Sequence, residues 1–211
     1  MTEYGRGMMI VLSSPSGAGK TTLTKLLSKE NSSFEISISC TTRIPRQNEI
    51  EGKDYFFISK NEFQKLIDSN SFLEHAKVFN NYYGTKKDPI IKKLSEGKKI
   101  LFDIDWQGTE QIKKQSLNYK LLTFFILPPS TEELKKRLAK RDIKDKSIVN
   151  QRMLQFKKDI IHWKDYDYVY VNNDLNECRN EIMNTILLET EGKKNHFDKK
   201  KIENKIKELI N

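Results

Sequence analysis

The chain has little of what staples a protein or carries it across a bilayer. Two cysteines, Cys40 and Cys178, stand far apart among 211 residues, which excludes a disulfide framework. No apolar run approaches the roughly 18–20 residues that a membrane-crossing helix needs. The opening stretch, Met1 to Gly7, is polar and has none of the apolar h-region of a secretory leader. His75, His162 and His196 are the three histidines, and neither they nor the cysteines show metal-ligand spacing. No segment repeats. Arginine is scarce as well: lysine supplies most of the 38 basic side chains. A soluble protein of a reducing, cytoplasmic compartment is expected.

What is present is a modest apolar share, 36%, against 32% charged residues. Leu, Ile, Phe, Val and Tyr are nevertheless spread along the chain, enough for one ordinary domain with a smaller insertion. The net charge of +9 suits nucleic acid, an anionic surface or a phosphorylated small molecule. Most lysines, including the run Lys199–Lys201, read as solvated helix faces. The arginines instead fall in groups: Arg43 with Arg46, Arg137 with Arg141, then Arg152. A planar guanidinium offers the two-pronged grip that suits phosphate.

Met8–Leu12 is a continuous apolar run that reads as a strand buried on both faces. A glycine-containing loop follows, then a helix with Leu23, Leu26 and Leu27 at helical spacing. From Glu35 to Ile58 short alternating stretches predict antiparallel strands. Ser59 with Glu62 and Ser130 with Glu133 have capping-box spacing and open helices; another helix runs from about Asp88 to Gly97. Core strands are expected at Lys99–Asp105, Leu121–Leu127 and Tyr168–Val171, with a closing helix through Ile182, Ile186 and Leu187. Alternating strands and helices imply an α/β fold, a parallel sheet flanked by helices, interrupted by an insertion at 36–97. After Glu191 the Lys- and Asn-rich chain, with weak Ile202, Ile206, Leu209 periodicity, reads as a tail or a loosely held helix.

The loop Ser14-Pro15-Ser16-Gly17-Ala18-Gly19-Lys20-Thr21 matches the P-loop pattern except at its first position, where Ser14 replaces glycine. In that motif backbone N–H groups turn inward around phosphates and the next helix adds its dipole. Lys20 would reach the β- and γ-phosphates, and the Thr21 hydroxyl would ligate Mg²⁺.

Four further stretches accompany it: Ser39–Arg46, Glu51–Tyr55, Asn81–Thr85 and Asp103–Gly108, with Pro128–Ser130 and Val171–Asp174 later. In this order, from about Gly7 to Leu188, the chain resembles the guanylate kinases, P-loop enzymes that move the ATP γ-phosphate to GMP. The resemblance implies a P-loop NTPase-type core (1–35, 98–136 and 153–190), a GMP-binding insertion of mixed β/α structure (36–97) and a helical lid (137–152), with 191–211 as a tail outside it. It implies ATP contacts at Ser14–Thr21 and Asn172, and catalytic roles for Lys20, Arg137, Arg141 and Arg152. It implies a GMP site of Ser39, Arg43, Arg46, Tyr55, Glu74, Tyr83, Thr85, Asp103 and Asp105. Glu74 would accept the two adjacent donors of guanine, N1–H and the 2-amino group, which adenine lacks.

Mg²⁺ is implied with ATP as co-substrate, on Thr21 with Asp103 acting through water. One division places Asp103 near the metal and Asp105 near the base; the sequence leaves that division open. The expected partners are ATP and GMP, with neither nucleic acid nor membrane, and the oligomeric state is undetermined. The competing expectation is a non-catalytic guanylate-kinase-like module that binds phosphorylated partners; retention of Lys20, Thr21 and the arginines speaks against it.

Overall fold

A computed structural model describes residues 5–141 and 146–210. In chain order the elements are β1 (Gly5–Ser13), α1 (Lys20–Glu30), β2 (Phe34–Ile36), β3 (Cys40–Thr41), β4 (Phe56–Phe57) and α2 (Lys60–Asp68). There follow β5 (Phe72–Val78), β6 (Asn81–Lys86), α3 (Lys87–Ser95), β7 (Lys99–Asp103), α4 (Trp106–Lys114) and β8 (Tyr119–Leu127). The chain continues through α5 (Thr131–Arg141), α6 (Lys146–Asp159), a 3-10 helix (Ile160–Asp165), β9 (Tyr168–Val171), α7 (Leu175–Thr190) and α8 (Lys199–Ile210). The larger sheet has strand order β2-β7-β1-β8-β9 and the smaller β4-β3-β6-β5. This is the α/β class expected, a parallel sheet flanked by helices.

The chain divides into two compact units. One comprises residues to Ile10 with Ser32–Leu121. Here β2 runs parallel to β7, Ile36 opposite Leu101. The small sheet is built entirely between Cys40 and Lys86. Its core gathers Cys40, Phe63 and Phe72, with Phe63 and Phe72 rings 4.5 Å apart. Ser59 opens α2 through the full capping box: Glu62 N–H donates to Ser59 Oγ, and Ser59 N–H donates to Glu62 Oε2.

Several local expectations need correction in this unit. Ile36 belongs to the parallel core sheet rather than to an antiparallel insertion, and β3 pairs with β4 in parallel. The antiparallel pairs are β3 with β6 and β5 with β6. Strand β7 stops at Asp103, and Asp105 is the N-cap of α4, so strand alternation does not set its direction.

The other unit comprises Val11–Asn31 and the chain from Leu122 onward. Strand β8 runs parallel to β9, Phe124 opposite Tyr168. One apolar cluster contains Leu127, Leu134, Leu138, Phe156, Ile160 and Trp163 together with Ile202, Ile206 and Leu209 of α8. The C-terminal segment is therefore no loose tail. Its residues at i, i+4 and i+7 form one buried helical stripe, and Lys157 Nζ donates to the Ile210 carbonyl at 3.2 Å. In α7, Ile182 and Ile186 are buried as expected, whereas Leu187 is exposed.

Candidate functional site

The phosphate loop lies in the second unit. Gly17 and Gly19 have φ of 91° and 102°, the left-handed region that side chains rarely adopt. Ser14 is not among the residues of positive φ, which explains why serine serves at the position where the motif usually has glycine. An added Cβ on Gly17 would meet the Leu134 and Leu138 methyls at 2.9 Å, and one on Gly19 would stand 2.3 Å from Asn172 Nδ2. The loop is thus clamped from both sides. Asn172 is buried and donates through Nδ2 to the Ala18 carbonyl at 2.8 Å, so part of its hydrogen-bonding capacity shapes the loop.

Helix α1 starts at Lys20 directly after Gly19, without a side-chain cap, and the positive end of its dipole favours an anion there. Two of the expected arginines reach this loop. Arg152 Nη1 donates to Ser16 Oγ at 2.6 Å. Arg137 pairs with Glu133 through Nε at 3.0 Å, and its Nη1 comes within 4.0 Å of where a Gly19 Cβ would lie. The Arg141 side chain lies outside the described residues. Glu133 N–H donates to Ser130 Oγ at 3.1 Å, half of the predicted box, while its carboxylate turns to Arg137.

In the first unit Arg43 and Arg46, the residues expected to grip a phosphate, gather around one that no sequence motif marks, Glu49. Arg43 Nη1 and Nη2 donate to Glu49 Oε2 and Oε1 at 2.9 and 2.8 Å, and Arg46 N–H donates to the same carboxylate at 2.8 Å. Burial works against both charges, but each partner more than offsets it. Glu49 with Tyr83 holds Arg43 above its ordinary pKa, and Arg43 with the Arg46 N–H holds the Glu49 carboxyl below its own. Arg43 Nε is buried and has no hydrogen-bond partner among the described residues. Glu49 takes the end-on fork, and Tyr83 is a further hydrogen-bonding neighbour of the guanidinium.

Tyr55 stacks edge-on with Tyr83, ring centroids 6.0 Å apart, and the Arg43 guanidinium lies 5.4 Å from the Tyr55 ring centre. Burial first, then the Asp103 and Tyr83 neighbours, pushes the Tyr55 phenol far above its usual range. Tyr55 therefore stays a neutral hydrogen-bond donor.

Ser39, Thr85 and Glu74 form a buried polar chain. Thr85 Oγ1 donates to Glu74 Oε1 at 2.6 Å and lies 3.1 Å from Ser39 Oγ. Thr85 has one proton and gives it to the carboxylate, so Ser39 must donate to Thr85. Glu74, Thr85 and Ser39 are 3%, 1% and 8% exposed. Such a carboxylate is rare away from a function. Asp105 Oδ1 caps α4 by accepting from Gly108 N–H at 3.0 Å, and its Oδ2 accepts from Gln107 at 3.3 Å. Glu74 approaches the same first turn of α4, its Oε2 lying 2.5 Å from where a Gly108 Cβ would stand.

Glu49 was missed because a glutamate in a polar loop carries no periodicity. The signal that could have found it is its spacing, three residues after Arg46 and six after Arg43. Among the described residues no group of three or more His, Cys, Asp or Glu side chains could cage a metal, and no helix is long and apolar enough to cross a membrane.

Comparison with known proteins places the chain in a family. The family model for guanylate kinase matches residues 6–206, so the match extends into α8, beyond the stretch that the motifs alone cover. A guanylate kinase of Cereibacter sphaeroides is 45% identical over 177 residues, 84% of each chain. One of Rickettsia felis is 44% identical over 191 residues, 90% of this chain and 98% of that protein. The crystal structure of guanylate kinase from Anaplasma phagocytophilum superposes with a TM-score of 0.71 at 35% identity, covering 87% of this chain and 86% of its own. With motifs, fold and relatives all agreeing, the chain belongs to the guanylate kinase family.

Proposed function

We propose that the chain transfers the γ-phosphoryl group of ATP to GMP, yielding ADP and GDP. The observation that carries this reading is the buried Glu74 carboxylate, which Thr85 holds by one oxygen. Guanine presents two donors side by side to such a group; adenine has no 2-amino group and turns an acceptor, N1, toward the carboxylate, a costly mismatch. In this reading Arg43, Arg46, Tyr55 and Tyr83 grip the GMP phosphate, Ser39, Glu74, Thr85 and Asp105 surround the base, and Asp103 lies near the transferring groups. Residues 37–97 form the GMP-binding segment, Ile36 belonging to the core strand β2, with 137–152 the lid and the rest of 1–190 the core.

Ser14–Thr21 cradle the ATP phosphates and Asn172 borders the donor nucleotide. Lys20, Arg137, Arg141 and Arg152 neutralise charge on the moving phosphoryl group. No strong base is needed, because phosphoryl transfer works mainly through positioning and charge neutralisation. The donor set also suits Mg²⁺. That ion binds by few protein ligands together with substrate phosphates, and Thr21 supplies an exposed hydroxyl at the second residue of α1. When bound, the metal would neutralise phosphate charge.

The non-catalytic alternative fares worse. A module that merely docks phosphorylated partners has no use for a phosphate loop that Asn172 and Arg152 brace at 2.8 and 2.6 Å. A coupled assay of ADP release across GMP, AMP, CMP and UMP tests the proposal. Turnover with GMP well above the others is expected; ATP binding with no turnover on any acceptor would favour the docking module.

A further inference from the structure

Strand β5, which carries Glu74, is the edge of its sheet. An edge strand leaves every second residue's N–H and C=O unpaired on its outer side. Here side chains from α4 pair several of these groups. Gln111 Oε1 accepts from His75 N–H at 3.0 Å, and Gln111 Nε2 donates to the His75 carbonyl at 2.7 Å. The Gln111 amide thereby acts as a strand partner one residue long. Gln115 Nε2 donates to the Leu73 carbonyl at 3.0 Å. The residues on either side of Glu74 are thus both held by one helix. Gly108, on the same face as Gln111 and Gln115 at i, i+3 and i+7, lies under the carboxylate itself. A Cβ there would stand 2.5 Å from Glu74 Oε2 and 3.1 Å from Glu74 Cδ.

We infer that this face of α4 is the specificity-setting support of the acceptor site. Gly108 leaves the space that the Glu74 carboxylate occupies, and Gln111, aided by Gln115, sets the register and height of the strand that presents it. None of the three need touch the nucleotide; they are positioning residues acting through Glu74. The inference rests on the reading of Glu74 as the guanine-selecting group.

Gly108 gives a separation that a merely structural role would not. Alanine is the better helix former by about 1 kcal/mol, and φ at position 108 is not in the left-handed region. The nearest atom to the new methyl is the far end of a flexible side chain, Glu74 Oε2. Gly108→Ala is therefore accommodated by displacing the carboxylate rather than by unfolding the helix. Glu74→Asp shortens that side chain by one methylene and withdraws the carboxylate from the new methyl.

The test is a steady-state comparison of GMP and AMP as acceptors, with the KM for ATP and the melting temperature measured on the same samples. Gly108→Ala should raise the KM for GMP about tenfold or more and lower the GMP-to-AMP ratio of kcat/KM. The KM for ATP and the melting temperature should hold. Adding Glu74→Asp to Gly108→Ala should lower the KM for GMP, whereas Glu74→Asp alone should raise it. Gln111→Met keeps length and helix propensity but loses both hydrogen bonds to His75, and should raise the KM for GMP about tenfold.

Should that variant be poorly folded, Gln115→Met, which loses one bond, is read in its place with a smaller rise. Glu74→Gln in the otherwise unmodified chain separates the base-reading role from the support role. If it leaves the acceptor ratio unchanged, the base-reading role fails and the support role with it. If it collapses the ratio while Gly108→Ala and both glutamine variants leave the ratio intact, Glu74 reads the base and the inference about α4 is overturned. Independent, multiplying effects of Gly108→Ala and Glu74→Asp would overturn it as well.

Discussion

Arg43 and Glu49 meet through two parallel hydrogen bonds of 2.9 and 2.8 Å. The clasp fixes the guanidinium plane, with Tyr83 as a further neighbour, and the buried Arg43 Nε has no hydrogen-bond partner among the described residues. Glu49→Gln keeps one acceptor but turns an amide N–H₂ toward a guanidinium nitrogen, so Arg43 loses its fixed plane. The KM for GMP should rise about tenfold, with a smaller fall in kcat. An unchanged KM would show that Arg43 is held by other means.

The same pair fixes a pH dependence. The folded pKa of Glu49 lies below the usual carboxylate value, so the folded state binds the proton less readily than the unfolded chain. Its contribution to stability is complete above the unfolded value of about 4.3 and is lost as pH falls through the lower folded value. Between about pH 5 and about pH 3 the melting temperature of Glu49→Gln should therefore decline less than that of the unmodified protein. Parallel declines would remove Glu49 from the acid transition.

Helix α8 carries a prediction opposite to the one its composition suggests. Lys199, Lys200, Lys201 and Lys207 face solvent, while Ile202, Ile206 and Leu209 join the cluster of Phe156, Ile160 and Trp163. Leu209→Ala should cost about 2–5 kcal/mol of stability, and truncation after Glu191 should lower the melting temperature steeply. Because Phe156 belongs to the same helix as Arg152, truncation should also raise the KM for ATP. A truncated chain with native melting and kinetics would restore the idea of a dispensable tail.

Gly19 is the most constrained loop residue, with φ of 102° and Asn172 Nδ2 only 2.3 Å from where a methyl group would lie. Gly19→Ala should abolish turnover, and Asn172→Ala should not rescue it, because the backbone strain remains. Lys20→Ala should leave melting unchanged while lowering kcat by orders of magnitude. Near-normal GDP formation by Lys20→Ala would remove the phosphate loop from the mechanism.

Legibility in the sequence followed the strength of local physics. The apolar run at Met8–Leu12, the glycines at 17 and 19 and the Ser59 capping box each impose one backbone solution, and each is found in place. Strands β3 and β4 are two residues long, too short to carry a period, so their parallel pairing was invisible. The β5–β6 hairpin went unread because Glu74 and Lys77 interrupt its apolar pattern, its register shifts between Phe72 and Glu74, and its turn uses Phe79 at φ 54°. Helix α4 begins under a cap, Asp105, that looked like the end of a strand. The stripe of α8 was seen, but its burial depends on residues some fifty positions earlier in the chain, which no local pattern reports.

The central claim is that a buried carboxylate makes this chain select guanine. Its most direct test is kcat/KM for ATP-dependent phosphorylation of GMP and of AMP, measured in the unmodified protein and in Glu74→Gln. GMP should be preferred by about a hundredfold or more, and the variant should lose most of that preference through a higher KM for GMP. Equal use of AMP by the unmodified protein, or a preference that survives in Glu74→Gln, would contradict the account.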